Sequence, residues 1–145
     1  MLTVERSMKD IKRIIIPVDD TEESEDAVKK GAFLAKLLGV EAKIISVNDT
    51  HQFISSVVLE EKLKKEVERF LERFKKLGEE FGVKLEAQLI TGNPAEEIVK
   101  FANEGDLIII AHHDSTKGLD KIMSTSVSKE VVNNAPCSVF VVKSK

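Results

Sequence analysis

Two polar segments, each placed at the end of a strongly apolar run, contain the residue types that bind phosphate or metal. The first, PVDDT, spans 17–21, and the second, AHHDSTKG, spans 111–118. Together they offer carboxylates, imidazoles, hydroxyls and a lysine. Hydroxyls, a lysine and backbone N–H groups suit a phosphate, whereas carboxylates and imidazoles suit a metal ion. The residue types therefore admit either chemistry.

The apolar runs that position these segments are typical of strands in a parallel sheet. The runs at 13–18 and 106–111 are continuous and rich in β-branched residues, as strands buried on both faces are. Further strands are predicted at 42–47 and 137–142. The run at 84–90 alternates apolar and polar residues, which is typical of an edge strand with one wet face.

Helical patterns separate the predicted strands. Asp20 is expected to cap the first helix, with Glu23 three residues later, and Gly39 to end it. Asn93 and Pro94 are expected to open the third helix. Two further helices are predicted over 55–80 and 125–134, and the apolar face of the longer one consists of Leu59, Leu63, Val67, Phe70, Phe74 and Leu77. The alternation of strands and helices predicts an α/β domain with helices on both faces of an open parallel sheet.

In such a sheet, ligands bind beyond the carboxyl ends of the strands, where the winding direction reverses. If the first and fourth strands are neighbours at that point, the segments 17–21 and 111–118 face one crevice. We therefore expect the binding chemistry of the two segments to meet there.

The composition excludes several classes of partner. The formal net charge is −3 and no basic block is interleaved with aromatics, so a nucleic acid is not expected. No apolar stretch approaches the length of a membrane span. The single cysteine, Cys137, cannot form an intramolecular disulfide, and a cytoplasmic location is the expectation. Residues 1–10 are predicted to be a flexible extension and 11–145 one domain.

Three stretches resemble the universal stress protein family in order along the chain. The resemblance is carried by RIIIPVDDTEESEDAVKKGAFLAK, TGNPAEEIVKFANEGDLIIIA and TSVSKEVVNNAPCSVFVVK. It implies an adenine-nucleotide-hydrolase-like fold with five parallel strands in the order 3-2-1-4-5. It also implies a homodimer and, in one branch of the family, ATP bound with Mg²⁺.

The glycine pattern of the ATP-binding branch is largely missing. The branch has Gly, two residues, Gly, nine residues, then Gly followed by Ser or Thr. Its first glycine falls on Ala111, the second on Asp114 or Ser115, and the third on Thr125, while Ser126 matches the final hydroxyl. Glycine permits a close approach of the backbone to a phosphate, and a carboxylate at position 114 would repel one.

Other groups at the same loop and helix retain the means to hold a phosphate. Lys117 supplies a positive charge, Ser126 and Ser128 supply hydroxyls, and the last helix points its N-terminus at the loop. Two possibilities therefore stay open: an adenine nucleotide is bound in a modified crevice, or ATP binding is lost and the protein works only through contacts with unknown protein partners.

The resemblance implies a set of nucleotide-binding positions around this crevice. Asp19 would lie near the ribose or the metal on the phosphates, but it could also be simply the acid at the entry of the first helix. Val47 would offer backbone contacts to adenine, but it could equally be core. The candidate residues are Pro17, Val18, Asp19, Val47, Ala111, His112, Ser115, Lys117, Gly118, Thr125, Ser126, Val127 and Ser128.

Three other chemistries are less well supported. A metal site held by protein alone is not predicted, because neighbouring side chains such as His112 and His113 point in opposite directions at a strand end. A phosphoacceptor receiver domain needs an aspartate after the third strand and a lysine before Pro136, and the chain has neither. No nucleophile lies beside a base, so at most slow ATP hydrolysis is expected.

The last strand is expected to lie at an edge of the sheet and to pair with a second copy of the chain. Its segment SVFVV is apolar and carries neither proline nor an inward charge, which invites strand pairing. A twofold pairing would produce a homodimer. Its contact residues are predicted to be Val139, Phe140, Val141 and Val142.

Overall fold

A computed structural model describes residues 11–48, 57–112 and 125–143. These residues form five strands and four helices in strict alternation. The strands are β1 (Arg13–Pro17), β2 (Glu41–Asn48), β3 (Leu85–Thr91), β4 (Asp106–His112) and β5 (Ser138–Lys143). The helices are α1 (Glu22–Leu38), α2 (Val57–Glu80), α3 (Pro94–Phe101) and α4 (Thr125–Asn134). The predicted extension 1–10 lies outside the described residues.

The strands form one parallel sheet in the order β3-β2-β1-β4-β5, as the family resemblance implied. β1 lies at the centre, paired with β2 on one side and β4 on the other. Its residues Ile14, Ile15 and Ile16 are completely buried, which explains why the run is apolar without alternation. β3 and β5 are the two edge strands, as predicted.

Two hydrophobic layers cover the two faces of the sheet. Ile14 and Ile16 point to the layer of α1 and α2, where Phe70 and Phe74 of α2 are packed. Ile15 points to the layer of α3 and α4, with Ile98 of α3. Val67, Phe70 and Phe74 confirm the predicted face of α2, and Leu71 is a buried residue that the prediction missed.

The helix ends show one wrong prediction and two confirmed ones. Gly39 ends α1 in the left-handed conformation at φ 69°, and the Asn93 side chain accepts a hydrogen bond from the Glu96 N–H. Asp20, however, is not the cap of α1. Thr21 takes that place and accepts from the Ser24 N–H at 3.1 Å, while Asp20 pairs with Arg73 on the surface.

An ion pair holds the amino end of the sheet together. Arg13 of β1 donates to both carboxylate oxygens of Asp106 of β4, at 3.0 and 2.8 Å. The Asn103 N–H donates to the same carboxylate at 2.7 Å. The guanidinium also lies over the ring of Phe101, 5.0 Å from its centroid. The hydrogen bond from Arg13 to Asp106 raises the pKa of the guanidinium above its ordinary value.

Among the described residues, no helix is long and apolar enough to cross a membrane.

Candidate functional site

The predicted crevice lies at the junction of β1 and β4. The two strands are direct neighbours in the sheet. α1 leaves β1 and packs on the layer of Ile14 and Ile16, whereas α4 follows β4 and contributes Val131 to the opposite layer. The winding direction therefore reverses between these strands, and a ligand crevice is expected at their carboxyl ends.

The end of β1 is buried and fixed to the neighbouring strand. Pro17 is the last residue of β1, and Val18 is only 2% exposed. The Val18 N–H donates to the Ile45 carbonyl of β2 at 2.8 Å. The chain therefore leaves the sheet in one defined direction, which places Asp19 just before α1.

Asp19 is the centre of a compact hydrogen-bond cluster with Thr21 and Ser24, which we call the Asp19 cluster. Its carboxylate atom Oδ1 accepts from the hydroxyls of Thr21 at 2.5 Å and Ser24 at 2.7 Å. The Asp19 N–H in turn donates to the Ser24 hydroxyl at 2.9 Å. Asp19 is 6% exposed and Ser24 is completely buried. Hydroxyl donors orient the carboxylate at the crevice and carry no charge of their own.

The Asp19 cluster bears on the two roles considered for Asp19, which are helix entry and contact with a ligand. The entry of α1 depends on Asp19 through two side-chain bridges, rather than through Asp20. The helix-entry role of Asp19 is therefore shown by its hydrogen bonds. Contact of Asp19 with a ribose or a metal remains a prediction.

Val47 lies near the end of β2 and is 3% exposed. It belongs to the apolar layer beneath α3 and α4, so its side chain packs in the core. A backbone contact from this residue to adenine remains a prediction, since core packing of the side chain does not occupy the backbone groups.

The end of β4 brings two candidate residues to the other side of the crevice. Ala111 is completely buried, and the next residue, His112, is half-buried. Because Ala111 belongs to the layer of α1 and α2, His112 points to the layer of α3 and α4. Its partner across the strand pair is Lys143 of β5.

α4 contributes its first turns to the same side. Thr125 begins the helix. Ser126 is exposed, Val127 is half-buried against the core, and Ser128 is 3% exposed. The remaining candidates, Ser115, Lys117 and Gly118, lie outside the described residues, together with Asp114.

The described candidate residues around the expected crevice differ in chemistry. β1 ends in the buried Pro17, whereas β4 and β5 end in His112 and Lys143. Hydroxyl-bearing residues lie both at the entry of α1 and at the start of α4. No group of three or more His, Cys, Asp or Glu within residues 11–48, 57–112 and 125–143 could hold a metal ion.

Sequence reasoning missed Thr21, Ser24 and Lys143. Thr21 carries a weak signal, since threonine is among the residues that cap helices but ranks below aspartate, and Ser24 carries none. Lys143 carries no local signal, because only the register of β5 places it beside the end of β4.

Comparison with known proteins identifies the family. The model of the universal stress protein family matches residues 10–143. This chain belongs to the universal stress protein family. The membership also decides against the receiver-domain alternative, which shares only the general architecture.

Individual relatives align with this chain over most of its length. Universal stress protein MJ0531 of Methanocaldococcus jannaschii is 38% identical over 140 residues, which cover 91% of this chain and 82% of the relative. The solved structure of hypothetical protein MJ0577, a test case of structural genomics, has a TM-score of 0.76 at 32% identity and covers 93% of this chain and 97% of that protein.

A more distant structure carries a ligand. The universal stress protein from Archaeoglobus fulgidus, solved in complex with dAMP, has a TM-score of 0.67 at 22% identity, covering 91% of this chain and 98% of that chain. At this identity the likeness concerns the fold.

Proposed function

We propose that this universal stress protein binds an adenine nucleotide at the carboxyl ends of β1 and β4 and responds to it as a regulatory module. The observation that carries the proposal is the Asp19 cluster at the point where the winding reverses. A buried carboxylate is costly unless it is hydrogen-bonded, and here it is fixed at the mouth of the expected ligand crevice. The dAMP complex of a protein with the same fold supports the ligand class.

In this proposal the nucleoside lies toward β1 and β2, near Val18 and Val47, and the phosphates lie toward β4 and α4. His112, Ser126 and the loop residues Ser115, Lys117 and Gly118 would contact the phosphates. Mg²⁺ would accompany a polyphosphate and neutralise part of its charge. The protein would bind and release the nucleotide without dedicated catalytic groups, in the cytoplasm.

Calorimetry with ATP, ADP and AMP in the presence of Mg²⁺ tests this function. Wild type is expected to bind at micromolar concentration, and mass spectrometry of the purified protein is expected to find a nucleotide carried through purification. Asp114→Gly serves as the comparison, because it removes the carboxylate closest in sequence to the expected phosphate position. A wild type without binding, together with a variant that gains it, would overturn the proposal.

A protein-interaction module without ATP is the second candidate. It is favoured by Ala111 and Thr125 at the positions of family glycines, and by exposed apolar side chains on α1 and β5. Phe33 is 57% exposed, Leu37 69% and Phe140 45%. Exposed apolar residues of this size are typical of surfaces that contact other proteins.

We further propose that the protein is a homodimer paired through β5. Phe140 and Val141 are exposed by 45% and 37% on opposite faces of this edge strand, and Val139 is half-buried. Val142 is already buried in the core at 1% exposure, so it would support the strand rather than gain contacts. An unprotected apolar edge strand favours pairing with another copy.

A lysine at position 141 tests the dimer. Val141→Lys is expected to shift the mass in solution from dimer to monomer by light scattering, because pairing would place two ammonium groups near the twofold axis. Val132→Lys, at an exposed valine on α4, is the matched control and should leave the dimer intact. A dimer that survives Val141→Lys would place the interface elsewhere.

A further inference from the structure

The residues that end the five strands differ in charge from one side of the sheet to the other. The last residues of β3, β2 and β1 are Thr91, Asn48 and Pro17, none of which carries a charge. The last residues of β4 and β5 are His112 and Lys143. Among these strand-terminal residues, the change from neutral to basic falls at the β1–β4 junction, where the crevice is expected. The Asp19 carboxylate lies two residues beyond the end of β1 on the same edge.

His112 and Lys143 lie side by side on one face of the sheet. They are partners in the parallel register of β4 and β5, and paired residues share a face. The preceding residues, Ala111 and Val142, belong to the layer of α1 and α2. Because side chains alternate along a strand, His112 and Lys143 both face the layer of α3 and α4. His112 is half-buried, whereas Lys143 is exposed and keeps a hydrated, movable ammonium group.

We propose that Lys143, with His112 beside it, binds the phosphate chain of the nucleotide. This inference rests on the proposed function and specifies its ligand. An ammonium group and an imidazole N–H donate charge-assisted hydrogen bonds to phosphate oxygens, while Val18 and Val47 on the neutral side suit a base. The arrangement selects a nucleotide with two or three phosphates over a nucleoside monophosphate, because only the longer chain extends from the junction toward β5.

A lysine at this position also offsets the missing glycines. Glycine binds phosphate by letting the backbone approach it, and the chain has Ala111 and Thr125 where the family pattern has glycine. A lysine side chain reaches a phosphate from a distance as a mobile positive charge. The phosphate would then be held by side chains from β4 and β5 more than by a close backbone loop.

Calorimetry with AMP, ADP and ATP tests the role of Lys143. Wild type is expected to bind ATP more tightly than AMP. Lys143→Met is expected to weaken ATP binding roughly tenfold, since a charge-assisted hydrogen bond is lost, and to change AMP binding less than about twofold. Lys143→Arg keeps the charge and should retain most of the preference for ATP. Circular dichroism and thermal unfolding check that each variant is folded.

Lys84→Met is the matched control, because Lys84 is also an exposed lysine and lies just before β3, at the opposite end of the sheet. It should leave all three affinities unchanged. An ATP-to-AMP ratio that is the same in wild type and Lys143→Met would overturn the inference and leave the proposed function standing.

Sodium tripolyphosphate alone separates the two proposals if wild type binds no nucleotide. Binding of tripolyphosphate that Lys143→Met abolishes would support the phosphate site and overturn only the adenine function. No binding of tripolyphosphate would overturn both.

Discussion

Two buried carboxylates lie at opposite ends of the sheet, and they are held in different ways. Asp106 opens β4 at the amino end and accepts from the guanidinium of Arg13. Asp19 follows β1 at the carboxyl end and accepts from the hydroxyls of Thr21 and Ser24. A guanidinium donates charged hydrogen bonds to a carboxylate, whereas hydroxyls donate neutral ones. The amino end thus holds a carboxylate in an ion pair, and we propose that the carboxyl end presents its groups to a ligand.

The largest expected effect is the loss of the ion pair at the amino end. Asp106→Asn should lower the free energy of unfolding by about 3 kcal/mol, because it leaves the partly buried guanidinium of Arg13 without its counter-charge. Urea unfolding measures this. Nucleotide affinity of the folded variant should stay at the wild-type value, since Asp106 lies at the end of the sheet away from the crevice.

The control is an ion pair of the same 2.8 Å length on the surface. Arg73 and Asp20 are 57% and 62% exposed, so Arg73→Gln should change stability by less than about 1 kcal/mol. If Asp106→Asn and Arg73→Gln lowered the free energy of unfolding equally, the amino-end pair would have no special structural role.

Removal of a hydroxyl from the Asp19 cluster should lower stability by a smaller amount and should also weaken nucleotide binding. Ser24→Ala removes one donor to the Asp19 carboxylate and the acceptor of the Asp19 N–H. We expect a loss of about 1–2 kcal/mol by urea unfolding and a clear loss of nucleotide affinity by calorimetry, because Asp19 keeps only the Thr21 hydroxyl of the two that orient it.

Thr21→Ser is the matched variant for the Asp19 cluster. It keeps the hydroxyl that caps α1 and donates to Asp19, so stability and affinity should both remain close to wild type. If Ser24→Ala lost stability while its nucleotide affinity stayed the same, the Asp19 cluster would be a structural element only.

The sequence predicted the strands of the sheet better than the details of the site at its carboxyl end. Short continuous apolar runs such as 13–18 were correctly predicted as central strands, because their length and their β-branched residues favour a strand buried on both faces over a buried helix. The strand order came from the family resemblance. The Thr21 cap was missed because Asp20 and Thr21 are both good caps, and the choice depends on Ser24, which bridges back to Asp19 in three dimensions.

Lys143 was missed for a different reason. Its position beside His112 follows from the strand register of the β4–β5 pair, and the apolar run SVFVV alone does not tell which residue of β5 lies opposite the end of β4. Long-range pairing therefore limits how far a binding site can be predicted from sequence, even where its elements are correct.

The smallest expected effect concerns Cys137, which lies in a pocket at the amino end together with Asp106. Burial, and then the charge of Asp106, raise the pKa of the Cys137 thiol, while a hydrogen bond from the backbone at Ile108 opposes them. The folded protein therefore holds this proton more tightly than the unfolded chain does. Its contribution to stability is complete below the ordinary thiol pKa and is lost as the pH rises above it.

The rate of alkylation by iodoacetamide against pH checks this pKa. Its midpoint should lie above that of a free cysteine, because the thiolate is the reactive form. In Asp106→Asn the midpoint should move down toward the ordinary value. A midpoint that does not respond to Asp106→Asn would assign the whole effect to burial.

The most direct test of the division between the two ends is a titration of the labelled protein with ATP and Mg²⁺, followed by amide NMR. The signals of Val18, Asp19, Ala111 and His112 are expected to shift with the nucleotide, and those of Asn103, Gly105 and Asp106 at the amino end are not. Shifts confined to the amino end, or an unchanged spectrum at millimolar ATP, would contradict this expectation.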